Sequence, residues 1–426
     1  MTYATGVIFV ALTLGLGWAI RGHFGHEHGA AWAGAMGCMA LILTTRKTDW
    51  IKRLPTLAAI GGIGWGVGGM MSYGLLVGMG RANDFGNVFY GLAMLAVVGG
   101  LYGFIGGGFL GLGLESSATR RPDWPALLTQ MTAGGLLFWY VLIAQFEYKM
   151  TPPRSELWAA CLGASVALAW YFQRHGYMKA LRVAGYAALG AGFGFAFGNF
   201  LQTTGNLTAL RLNWWNVMEF TLGFCGGLGM AYAALTREWR ESETAHKIGN
   251  NLGLIFLFLI LPAINLIQAF EAKEFREFAV RAQLAHPDAL ATGQFVLGWS
   301  VIVVFTLLAL GIWRQVERKP DHARNWAAAW FFLYGIFYIV FSHIKKGMFL
   351  GVRGQIEQYA YWVILLIMAG LFFGVRQQDR AFKKLAFPER WQRWLVIMVA
   401  LVGIIALLAW ISIISHGEMP GAQRRF

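Results

Sequence analysis

Between Ala4 and Ile20, and again between Trp394 and Ile414, the chain carries no ionisable side chain. Each run matches the roughly 20 helical residues needed to cross a hydrocarbon core. The pattern repeats along the whole sequence, with short charged clusters between long apolar runs. Only 13% of the residues are Asp, Glu, Lys or Arg, while 57% are hydrophobic. A water-soluble protein would need a polar stripe on each surface helix, and these runs have none. The expectation is an all-α, polytopic membrane protein.

Apolar runs read against charged breaks give thirteen helices, near 4–20, 29–45, 55–79, 87–113, 126–146, 157–173, 183–202, 214–236, 252–270, 294–313, 326–344, 358–375 and 394–414. The runs 55–79 and 87–113 are long and rich in glycine, which invites a tilt, a kink or a re-entrant break. The longest polar connection, Glu271 to Gly293, is too short for a separate domain. The opening Met1-Thr2-Tyr3 lacks a basic region, so the first span reads as retained rather than cleaved.

The net charge of +14 does not point to nucleic acid, because the basic residues are divided among many loops. Of 35 Lys and Arg, 22 fall in one alternating set of loops: 46–53, 115–125, 174–182, 237–251, 314–325 and 376–393. The positive-inside rule places that set and the N-terminus in the cytoplasm, with the C-terminus outside. The expected location is a cytoplasmic (inner) membrane, with lipid as the surrounding partner.

Glycine is concentrated early, with 42 of 55 before residue 250. Small residues let membrane helices approach closely. The sequence therefore divides into a glycine-rich core, 1–250, and a second bundle, 251–426. Gly62-Ile63-Gly64-Trp65-Gly66-Val67-Gly68 resembles Gly192-Phe193-Gly194-Phe195-Ala196-Phe197-Gly198, and Asn87-Val88 recurs as Asn216-Val217. The echo suggests parallel helical-hairpin repeats, as in some transporters.

Polar residues gather at the hairpin tips expected outside. The first tip holds Arg21, His23, His26, Glu27 and His28; the next holds Arg81 and Asp84; a later one holds Arg211, with Glu219 inside the helix that follows. A late tip carries Lys346 and Arg353. A carboxylate at membrane depth should pair with a cation, be protonated or face a wet cavity, and Arg211 and Arg81 are the candidate partners of Glu219. The spacing of His23, His26, Glu27 and His28 is not HExxH, and glycines at 22, 25 and 29 favour a loop. That cluster is read as a proton or polar relay, and no metal is assigned. Cys38, Cys161 and Cys225 lie within apolar spans as small core residues. Trp50, Trp124, Trp158, Trp239 and Trp394 flank spans as interfacial anchors.

No P-loop, GxSxG elbow or dinucleotide fingerprint occurs, and no cofactor is implied. The leading expectation is a transporter or permease for a small polar, anionic solute. Arg21, Arg81, Asp84, Arg211, Glu219, Lys346 and Arg353 would bind it in an outward cavity. The alternatives are a membrane-embedded enzyme acting on a lipid-linked substrate and a structural subunit of a membrane complex. Oligomers fit any of the three.

Overall fold

The computed structural model describes residues 2–348, 356–374 and 391–426. Arg353 and most of the loop 376–393 lie outside the described residues. The described chain is helical, with no strands. The first half runs α1 (Tyr3–Arg21), α2 (Glu27–Thr45), α3 (Thr48–Ile51), α4 (Leu54–Gly69), α5 (Gly74–Met79), α6 (Phe85–Glu115), α7 (Trp124–Phe138), α8 (Ser155–His175), α9 (Met178–Gly205) and α10 (Trp214–Leu235). The second half runs α11 (Lys247–Ile255), α12 (Leu261–Ala269), α13 (Ala272–Arg281), α14 (Pro287–Arg318), α15 (Ala323–Lys345), α16 (Ile356–Ala369) and α17 (Trp391–Ser415). Wider π turns continue α7, join α11 to α12 and end α16.

Among the described residues, ten helical spans are long and apolar enough to cross a membrane. Every one of the thirteen expected runs is helical, but three fall short of that test. The run 55–79 breaks at 70–73 into α4 and α5. In α2 and α8, small and polar residues dilute the hydropathy. α2 does not need it, because every residue from Gly29 to Thr45 is buried in protein rather than facing lipid. The polar connection 271–293 is also mostly helical, forming α13 and the first turns of α14.

Glycine explains the tight first half. A Cβ on Gly223 of α10 would fall 2.5 Å from the Leu14 carbonyl oxygen of α1, and one on Gly198 of α9 would fall 2.6 Å from that of Met218. Backbones this close leave no room for any side chain. The hydrophobic core continues across residue 250: Trp32 of α2 stacks on Tyr338 of α15 at 4.5 Å, and Phe24 stacks on Phe341.

The loops sort to two ends. At one, Arg53 bonds the Gly113 carbonyl and Glu243, Lys47 bonds the Arg240 carbonyl, and Lys179 bonds the Glu238 carbonyl. At the other, His23 bonds Ser342, Arg425 bonds the Lys149 carbonyl, and Phe426 meets Asn87. Tryptophan at the Arg53 end departs from its expected role. Trp50 is fully buried and packs edge-on against Trp239 at 5.4 Å, because the segment 236–246 folds back over the helix ends. Trp158 is buried as well.

Candidate functional site: a buried ion pair at a helix break

The chemistry-bearing centre lies where α1 ends, α4 breaks and α10 begins. Arg21 closes α1, and Glu219 sits on the first turns of α10. Because α1 and α10 run antiparallel in close contact, these residues meet. Arg21 Nη1 donates to Glu219 Oε1 at 2.9 Å, and both side chains are only 2% exposed. Tyr73, in the gap between α4 and α5, completes a triangle. Its hydroxyl accepts from Arg21 Nη1 and donates to Glu219 Oε1, each at 2.6 Å. Trp215, one turn before Glu219, donates its indole N–H to the same oxygen at 3.0 Å.

A guanidinium has five N–H donors, and Arg21 uses all of them inside the protein. Besides Tyr73 and Glu219, it reaches the His26 carbonyl from Nε, and His26 Nδ1 and the Gly69 carbonyl from Nη2. Arginine cannot accept a hydrogen bond, so His26 Nδ1 must be bare and its proton must sit on Nε2. Burial, then the charge of Arg21, pushes the His26 pKa down to about 4, which agrees with a neutral ring.

The helix break has a physical reason. A break inside an apolar run frees backbone groups that need new hydrogen-bond partners. Here Arg21 bonds the Gly69 carbonyl, and the Tyr102 hydroxyl bonds the Met71 carbonyl at 3.0 Å. The break in turn frees Tyr73 to reach the ion pair. Two buried charges cost several kcal/mol each to desolvate, and a dense set of hydrogen bonds is what offsets that.

Glu219 is served unequally. Oε1 takes three donors, while Oε2 is buried and takes no hydrogen bond among the described residues. An unmet buried acceptor costs about 1–3 kcal/mol. Gly22 lies directly over it. A Cβ on Gly22 would sit 3.3 Å from Oε2 and within 4 Å of the rest of the Glu219 carboxylate. Gly22 is itself exposed, and it lines a cavity of about 550 Å³ at the histidine end. The cavity lies between the 22–25 turn, residues 268–277 and the end of α15, with Glu271, Glu274, Lys345 and Lys346 in its wall. Lys345 is paired with Glu274. Burial lowers the Lys346 pKa, and Glu274 acts in the opposite direction.

The other expected site residues do not join this centre. Glu219 pairs with Arg21, not with Arg211 or Arg81, because α1 rather than the neighbouring tip lies beside α10. Arg211 is exposed on the segment before α10. Asp84 caps α6 by accepting from the Asn87 backbone N–H at 2.9 Å. Arg81 lies under the C-terminal segment, its Nη1 3.3 Å from where a Cβ on Gly421 would be. The histidines diverge: His23 bonds Ser342 at 2.6 Å, His26 bonds Arg21, and Glu27 and His28 open α2. Among the described residues, no three His, Cys, Asp or Glu side chains are grouped to hold a metal. The three cysteines are free thiols, with Cys38 and Cys161 buried.

Sequence reasoning missed Tyr73 and Trp215. Trp215 carried a usable signal, four residues before Glu219 on one helix face. Tyr73 carried none, since its role depends on the break. The chain matches no protein-family model, no curated protein and no solved structure at a significant level.

Proposed function

We propose that this chain is a membrane transporter or permease for a small polar solute, taken up from the histidine end. The carrying observation is the Arg21–Tyr73–Glu219 triangle, set at a broken helix and roofed by an exposed glycine beside a polar cavity. Ionisable groups inside a membrane protein are costly to keep, and discontinuous helices at membrane depth are tolerated where they line a solute path. Lys346 and the carboxylates Glu271 and Glu274 at the mouth would meet the polar groups of the solute first. The loops rich in Lys and Arg put the Arg53 end in the cytoplasm of an inner membrane and the cavity outside.

The two hairpins α4–α6 and α9–α10 fit a duplication. Asp84 caps the Asn87 N–H and Asn213 caps the Asn216 N–H, at separations from the two glycine runs that differ by one residue. Only the first hairpin is broken, so the duplicated parts would have diverged where Tyr73 enters.

The test is entry of small solutes into proteoliposomes. Glu219→Gln should abolish it without loss of expression, because it leaves Arg21 without a counter-ion, a defect of about 3–5 kcal/mol in a buried pair. Glu238→Gln, at the exposed Arg53 end, should keep wild-type rates. Wild-type entry through the Glu219→Gln protein would remove the triangle from the path.

A further inference from the structure

The unshared oxygen of Glu219 narrows what the solute can be, provided the transport reading holds. Arg21 and Glu219 together carry no net charge. A cation on Oε2 would leave one uncompensated positive charge in a site that is 2% exposed. An anion would find every Arg21 donor already used. A neutral donor adds a hydrogen bond at no electrostatic cost. We propose that Glu219 Oε2 is the docking atom for a neutral hydrogen-bond donor, a hydroxyl or amide N–H of the solute, which enters past Gly22.

The built features are three. Oε2 is a buried carboxylate oxygen that takes no bond among the described residues. The other oxygen is saturated by Arg21, Tyr73 and Trp215, so the carboxylate cannot turn to satisfy Oε2 without breaking three bonds. The residue above it is an exposed glycine on the cavity wall, and a methyl group there would sit 3.3 Å from Oε2. Gly22 has φ −56° and ψ −17°, an ordinary right-handed conformation. Backbone geometry therefore does not require glycine at this position; what a side chain would change is the approach to Oε2, which a Cβ would crowd at 3.3 Å.

Gly22→Ala is the decisive variant, because Ala adopts this backbone conformation and its Cβ would crowd Oε2 at 3.3 Å. The probes are erythritol, malonamide, sodium malonate and putrescine dihydrochloride. Two readouts separate the inference from the transport reading. Stopped-flow swelling of proteoliposomes reports passage. Infrared difference spectra of the purified protein report the Glu219 carboxylate stretch, assigned by its absence in Glu219→Gln. Erythritol and malonamide should enter the vesicles and shift that band, and Gly22→Ala should abolish both effects while its melting temperature stays at the wild-type value. A band unmoved by either neutral probe, or moved equally in Gly22→Ala, overturns the docking atom whatever the swelling shows. Swelling by malonate or putrescine alone overturns it while leaving a transporter. A band that shifts with no swelling by any probe upholds the docking atom and overturns transport.

Discussion

At the scale of single residues, the centre depends on which groups stay neutral. His26 accepts from Arg21 only while Nδ1 is unprotonated. Its pKa is pushed from 6.5 to about 4 by burial and then by Arg21. His23 is pushed down as well, by burial first and then by Lys346 and Lys345. Both rings are harder to protonate in the folded protein than in the unfolded chain. The unfolded chain therefore takes up more protons below pH 6.5, and stability is lost as pH falls from there toward 4. We expect the melting temperature in detergent to drop across that window. The drop should be smaller in a variant carrying His23→Gln and His26→Gln. An equal drop in that variant would place the acid sensitivity elsewhere.

At the scale of elements, helix contact is set by glycine, and this was legible in the sequence. The excess of glycine before residue 250 marks the helices whose backbones touch. A Cβ at Gly223 would meet both the Leu14 carbonyl oxygen and the Trp18 side chain. Trp18 in turn lies 4.9 Å from the Arg21 guanidinium. Gly223→Ala must therefore push α1 from α10, at a cost of about 1–3 kcal/mol for overpacking. The expected outcome is a lower melting temperature and slower solute entry together, since the same two helices hold Arg21 and Glu219. Gly311→Ala on α14, where a Cβ would meet nothing within 4 Å, should change neither. The break at 70–73 was legible only as a long glycine-rich run. That the chain would part at Met70 and leave Tyr73 inside depended on Arg21 and Tyr102 reaching the freed carbonyls.

At the scale of the molecule, the C-terminal segment straps one mouth. Asn87 takes the backbone N–H groups of Arg425 and Phe426 on its side-chain oxygen and donates to the Phe426 carbonyl. Gln423 bonds the Gly78 carbonyl, and Arg425 bonds Tyr90 while lying 4.9 Å over its ring. The strap covers Arg81. Asn87→Ala removes one donor and one double acceptor, and we expect it to release the strap. Hydrogen exchange should then rise at 78–84 and at 421–426, with protection of α10 unchanged. Unchanged exchange at 421–426 would show that Gln423, Arg424 and Arg425 hold the strap without Asn87. No periodicity or charge count could have placed these residues together, since more than 330 positions separate the partners.

The sequence by itself determined the class of the molecule. Long runs without charge can be satisfied only by helices in lipid or by deep burial, and glycine content dictates which helices come closest. It also determined which loops share an end, because charged clusters interrupt each apolar run in strict alternation. It marked Glu219 as a carboxylate inside an apolar run that must be paired, protonated or solvated. Only the tertiary structure decided which cation. Arg21, Arg81 and Arg211 are equivalent as residue types near helix mouths, and the choice among them is made by the antiparallel approach of α1 to α10. The same approach leaves Oε2 of Glu219 unshared beneath Gly22. Such an asymmetry arises from the packing of three separate helix ends, and no local pattern in the chain encodes it.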